Sequence, residues 1–182
     1  PDEASLFLSR ALGISTEGTF DVEVQPWGVG AAANLTAGEV VVMIDLPFPR
    51  GSGGAVLERM VESGGGLVIA MGESGGWTRD KDPWFAARVG GPVDRLDRGG
   101  GRIGWVGFDH PVFQVFKGPR SGDFTGTRFF RYRALTLQDS AAVLARFDDG
   151  HPALVERRIG EGRVLLWAST LDSFWNDLSV QP

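Results

Sequence analysis

Ser74 stands in the turn Gly72-Glu73-Ser74-Gly75, directly after the apolar run Leu67 to Met71. A serine so placed could act as a nucleophile if His110 served as its base and Asp109 or Asp172 oriented the imidazole. The turn does not spell the G-x-S-x-G elbow of serine hydrolases, and His110 before Pro111 is also an ordinary turn position. Asp45, Glu73 and Asp172 each end or follow an apolar run. Their carboxylates could converge on one rim and hold a hard cation, or they could simply cap turns, as Asp does after strands. The chain has no cysteine and only two histidines, His110 and His151. Disulfides, thiolate metal sites and cysteine nucleophiles are therefore excluded. His151, in Asp149-Gly150-His151-Pro152, reads as a loop residue. Six tryptophans (27, 77, 84, 105, 167 and 175) could line a sugar-binding rim, although large aromatics ordinarily pack cores. No motif calls for a resident metal or a cofactor.

The elements that must position these residues follow from periodicity. Phe7, Leu8, Ala11 and Leu12 mark a first helix, with Asp2 as its cap and Gly13 as its stop. Phe20, Val22 and Val24 alternate with polar residues, as in a half-buried strand ended by Pro26. Glu39 to Leu46 is continuously apolar after its first residue until Asp45, which predicts a strand covered on both faces. Ser52 is placed to cap a second helix with the buried stripe Val56, Leu57, Met60 and Val61. Gly64-Gly65-Gly66 then leads into Leu67 to Met71, completing a strand–helix–strand unit whose two strands should be parallel neighbours. Residues 75–101 read as an irregular insertion. Four strand-like runs close the chain, with hairpin signals at Asp148-Asp149-Gly150 and Gly160-Glu161-Gly162, where Gly162 is expected to take a positive φ. Asp172 is expected to cap a turn over Ser173, Phe174 and Trp175, burying the Trp175 ring. The fold class expected is α/β, a flavodoxin-like three-layer sandwich with a mainly parallel central sheet and an antiparallel C-terminal hairpin.

With 182 residues, 42% of them hydrophobic, the chain suits one domain spanning 1–182. The 27 glycines punctuate apolar runs and so imply tight turns rather than disorder. A net charge of −5 leaves no basic footprint for nucleic acid. Arg128, Arg131, Arg133, Arg157 and Arg158 read as a solvated strand face. No apolar run approaches the roughly 18 residues of a spanning helix, so this segment itself is not expected to insert into a membrane. Pro1 and Pro182 look like cuts inside a longer protein.

Taken together, Asp109-His110-Pro111-Val112-Phe113, Gly160-Glu161-Gly162-Arg163-Val164 and Ser169-Thr170-Leu171-Asp172 with Trp175-Asn176-Asp177-Leu178 carry a family resemblance. The chain resembles the class I glutamine amidotransferase-like domain of BatA-type, aerotolerance-related bacterial membrane proteins, and is similar to the ThuA-like (trehalose utilisation) family. The resemblance covers nearly the whole length. It implies a membrane-anchored bacterial parent protein with this domain outside the cytoplasm, in the periplasm or beyond. It also places a catalytic Cys near Gly72-Glu73-Ser74 and a His near Ser169 to Asp172, and this sequence has neither. Without thiolate and base a glutamine thioester cannot form. The expectation is a degenerate, non-catalytic pseudoenzyme module with an interaction or structural role in an envelope protein. Its partners would be another protein or other domains of its own chain. The alternative is a hydrolase or a small-ligand domain, carbohydrate included, using Asp45, Glu73, Ser74, Asp172 and Trp175.

Overall fold

In the computed structural model, which describes residues 3–13, 20–28, 35–81, 84–116 and 126–181, the first sheet strand is β1 (Val40–Ile44). It runs through α2 (Ser52–Glu62) into β2 (Gly66–Ala70), and the two strands are parallel neighbours. Upstream lies α1 (Glu3–Gly13); its expected cap, Asp2, falls outside the described residues. The remaining strands are β3 (Ala87–Asp94), β4 (Ile103–Val106), β5 (Arg131–Leu137), β6 (Ala142–Phe147), β7 (Pro152–Ile159) and β8 (Gly162–Trp167). Six strands form one sheet in the order β1-β2-β8-β7-β6-β4, while β3 and β5 form a separate antiparallel pair.

This architecture corrects the flavodoxin-like expectation. Only β1, β2 and β8 run parallel; β7, β6 and β4 are joined to them and to one another in antiparallel fashion. A flavodoxin-like sandwich needs a helical crossover for each added parallel strand. Here the described residues contain two α-helices, and the last strands are linked by tight turns that force antiparallel pairing. The protein is a mostly β mixed sheet plus a small second sheet. The 75–101 stretch contributes β3 to that second sheet, so it is more than an irregular insertion. Phe20, Val22 and Val24 form no strand and are exposed. β1 lies at the sheet edge with Val40 63% exposed, contrary to the two-sided burial that its unbroken apolar run suggested.

The core occupies one face of the large sheet. Met43, Ile69, Leu166 and Val155 stand in one row across four strands, with Leu67 and Val164 in the next, and all are buried. Leu57, Met60 and Val61 of α2 cover them. Gly51 rather than Ser52 precedes the helix, and no side chain caps it. Close packing of α2 against the β7–β8 hairpin explains the glycines there. A Cβ at Gly162 would collide with the carbonyls of Val61 and Gly65, and one at Gly160 with that of Glu62. The positive φ belongs to Gly160 (56°); Gly162 is glycine for want of space.

A part-buried polar clasp joins the two sheets. Arg95, just after β3, pairs with Asp149 and, at 3.1 Å, with Asp148 in the β6–β7 turn. Tyr132 on β5 donates its hydroxyl to Asp149, lies 3.2 Å from His151 Nδ1 and stacks on Phe147 with ring centroids 4.1 Å apart. Burial would raise the Asp149 carboxyl, but hydrogen bonds from Tyr132 and the His151 N–H and the Arg95 charge outweigh it and hold the group low. Burial, then the Asp149 hydrogen bond and charge, pushes the Tyr132 hydroxyl up to about 12.

Three outcomes are expected. Gly162→Ala lowers stability in denaturant melts by roughly 1–3 kcal/mol through overpacking. Gly91→Ala, where a Cβ meets nothing within 4 Å, stays within roughly 0.5 kcal/mol. Tyr132 is the one tyrosine in the sequence, so ultraviolet titration of phenolate reads that group alone, and its midpoint is expected near about 12. The folded state holds this proton more tightly than the unfolded chain. Its stabilisation is therefore complete below the ordinary tyrosine value of about 10 and is lost as pH rises through the folded value. A midpoint at the ordinary value would show that the clasp does not form.

Candidate functional site at the strand ends

Because β1, β2 and β8 are parallel neighbours, their carboxyl ends lie side by side. Open α/β sheets bind ligands at this edge. Asp45, the 72–75 turn and the segment holding Asp172 and Trp175 all follow these three strands. The structure thus gathers the carboxylates named from sequence around one edge, and it gives each a local partner.

Asp45 serves the turn beside it. Its Oδ1 accepts from the Ser74 N–H at 2.8 Å and the Gly75 N–H at 2.7 Å. It does so with a φ of 45°, a left-handed conformation that Asp tolerates better than most residues. Gly72 must be glycine here, since a Cβ would lie 2.5 Å from the Asp45 carboxyl carbon. Glu73 points outward, 3.9 Å from Arg131 at its nearest oxygen. Among the described residues no group of three His, Asp or Glu side chains is placed to hold a metal ion.

Arg133 of β5 closes the same turn from the other side. Its Nε donates to the Gly72 carbonyl at 2.8 Å and its Nη2 to the Glu73 carbonyl at 2.5 Å. Arg131 pairs with Asp94 at 2.9 Å. Both guanidiniums lie over the Trp175 ring, 5.8 and 6.0 Å from its centroid, within cation–π range. Trp175 is 6% exposed, and its carbonyl accepts from the Phe130 and Arg131 N–H groups. Asp172 Oδ1 accepts from the Phe174 N–H at 2.9 Å, an Asx turn that leaves Phe174 78% exposed.

Among the described residues no hydrogen bond joins Ser74 and His110. His110 Nε2 lies 3.0 Å from Glu156 Oε2, and Nδ1 accepts from the Val112 N–H. Glu156, buried on β7, is held in turn by Arg163 at 2.8 Å. With both ring nitrogens engaged, His110 pins the segment after β4 to the sheet. His151 is largely a loop histidine, as its sequence context suggested, yet it adds to the inter-sheet clasp.

Several structural residues escaped the sequence reading. Asn176, fully buried, donates to Ser169 Oγ at 3.1 Å and the Thr170 carbonyl at 2.9 Å while accepting from the Leu178 N–H. Arg128, Arg133 and Arg157 donate to the backbone carbonyls of Gly99, Gly72 and Phe85, so they stitch loops rather than solvate a strand face. Most tryptophans pack: Trp77 and Trp84 against Phe85, Trp167 against Phe129.

No family model and no curated protein matches the chain. Solved structures do. A cytoplasmic protein from Salmonella typhimurium LT2 is similar over 96% of this chain and 79% of its own, with a TM-score of 0.72 and 19% identity. A second cytoplasmic protein from Salmonella typhimurium matches over 96% and 78%, with a TM-score of 0.69 and 17% identity. An IFT52 N-terminal domain matches over 94% and 82%, with a TM-score of 0.55 and 11% identity. At such identities the likeness is one of fold. The expectation of a flavodoxin-like, glutamine amidotransferase-like fold is corrected by the mixed, β-rich sheet. The similar Salmonella proteins are cytoplasmic ones, the fold is β-rich, and among the described residues no helix is long and apolar enough to cross a membrane.

If Trp175 packs as described, Trp175→Ala costs roughly 3–5 kcal/mol in denaturant melts. Asp45→Ala strands two N–H groups and is expected to cost roughly 1–3 kcal/mol, while Asp45→Asn, which keeps an acceptor, costs less. Equal losses for the two Asp45 variants would argue that the carboxylate charge itself has another task.

Proposed function

We propose that this domain works without catalysis, as an interaction or structural module of a larger protein. The observation that carries this reading is the occupied strand-end edge. Asp45 and Arg133 hold the 72–75 turn from opposite sides, so the residues that could have formed a reactive site are spent on one another. A hydrolase would need His110 within hydrogen-bond reach of Ser74; its engagement with Glu156 counts against that alternative. Phe174, fixed by the Asp172 turn and exposed, is suited to serve as an apolar anchor for another protein or another domain of the same chain.

Hydrolysis of an activated ester, p-nitrophenyl acetate, is expected to remain at the buffer blank. Turnover abolished by Ser74→Ala would overturn the non-catalytic reading. A photo-crosslinking residue at position 174 of the intact protein in cells is expected to give a discrete adduct that the same residue at the exposed position 139 does not. Indistinguishable labelling at the two positions would remove the interaction role.

A further inference from the structure

The closed edge does not extend over its neighbour. Between residues 47–51, which lead from β1 into α2, and residues 76–81, which follow the 72–75 turn, lies a cleft of about 520 Å³. This is the size range of small-molecule sites, and it opens beside the carboxyl ends of two parallel strands. The floor is fixed by the backbone: Pro47 and Gly76 form a bridge, and the Phe48 N–H donates to the Gly76 carbonyl at 2.7 Å.

The lining combines aromatic walls with a few charges. Trp77 stacks on buried Phe85 at 4.0 Å between centroids, and Phe48 meets the same ring edge-on at 4.9 Å. Shared packing on Phe85 holds both walls in place. Lys81 is already paired with Glu58. The hydrogen bond from the Thr78 side chain holds the Asp80 carboxyl low, helped by Lys81 and Arg50, so Asp80 is ionised. Arg50, exposed on the opposite segment, is the lining cation for which the described residues supply no hydrogen bond or ion pair, and it flanks the first turn of α2, which no side chain caps. The positive side of the cleft is therefore the Arg50 side; its charge also acts on Asp80, which limits a ligand there to one negative charge.

We propose that this cleft binds a small organic monoanion built on a flat ring, an aromatic carboxylate being the simplest case. The ring packs against Trp77, which Phe48 and Phe85 back from the core, and the carboxylate faces Arg50. This site goes beyond the non-catalytic reading and does not depend on it, since binding here requires no chemistry at Ser74.

The test is calorimetric or NMR titration of the protein with benzoate and indole-3-carboxylate, alongside acetate, benzamide and benzylamine. Saturable binding of a ring carboxylate is expected, with acetate, benzamide and benzylamine each at least about tenfold weaker. Arg50→Gln, an exposed change, is expected to weaken the carboxylate about tenfold without moving the melting temperature. Trp77→Ala should abolish binding, and Trp77→Phe retains a ring should the alanine variant fail to fold. No saturable binding by either ring carboxylate, equal binding by benzylamine, or an unchanged affinity in Arg50→Gln would each overturn the proposal.

Discussion

The placement of β5 depends on the clasp between Arg95, Tyr132 and Asp149, and much of the strand-end geometry depends on β5. The two sheets share no ladder hydrogen bonds, because β3 and β5 pair only with each other. What ties them, beside the Arg133 N–H bond to the Ala168 carbonyl and a shared apolar core, is a part-buried ion pair completed by a phenol, with the Tyr132 ring stacked on Phe147 of the large sheet. A buried charge pair contributes to stability only when its geometry and its remaining hydrogen bonds are good. Here the Asp149 carboxylate has a guanidinium, a hydroxyl and the His151 backbone N–H. Once β5 is fixed, Arg131 and Arg133 reach across to the 72–75 turn and the Trp175 ring. The closure of the strand-end edge is thus set from the opposite face of the same end of β5, because Tyr132 lies between Arg131 and Arg133.

That chain of dependence has a chemical meaning. At this edge the turn carbonyls accept from Arg133, the turn N–H groups donate to Asp45, and Asn176 satisfies the exit segment. Polar groups so completely paired rigidify a surface and specify one conformation. The neighbouring cleft differs in kind, because its walls are aromatic and its Arg50 is exposed.

The sequence was legible where one physical signal dominated. The strand–helix–strand passage from Val40 through Ala70 showed in its run-and-stripe pattern, and the turns at 148–150 and 160–161 showed in their glycines. Misreadings came where a pattern had two causes. An unbroken apolar run such as Val40 to Ile44 suits a two-sided strand and an edge strand alike, and that ambiguity inflated the parallel sheet. Gly162 was rightly read as obligatory, but for backbone conformation rather than for the approach of Val61 and Gly65. Of the site, Asp45, the 72–75 turn and Trp175 were found because they follow apolar runs. Arg133, Asn176 and the Arg95 clasp were not, because each acts across more than forty positions or inside a buried loop where composition leaves no mark.

The position of β8 has a consequence for how the protein is made. It is the last strand among the described residues, yet it lies between β2 and β7 at the middle of the large sheet. Until residues 162–167 emerge, the growing chain holds β1 with β2 and, apart from them, β7 with β6 and β4, with nothing to join the halves. Each half then presents a bare strand edge, the kind of surface on which nascent chains stick to one another. A ribosome stalled or a message truncated ahead of Gly162 would leave two open ribbons, which makes the late hairpin the step that commits a newly synthesised molecule to its fold.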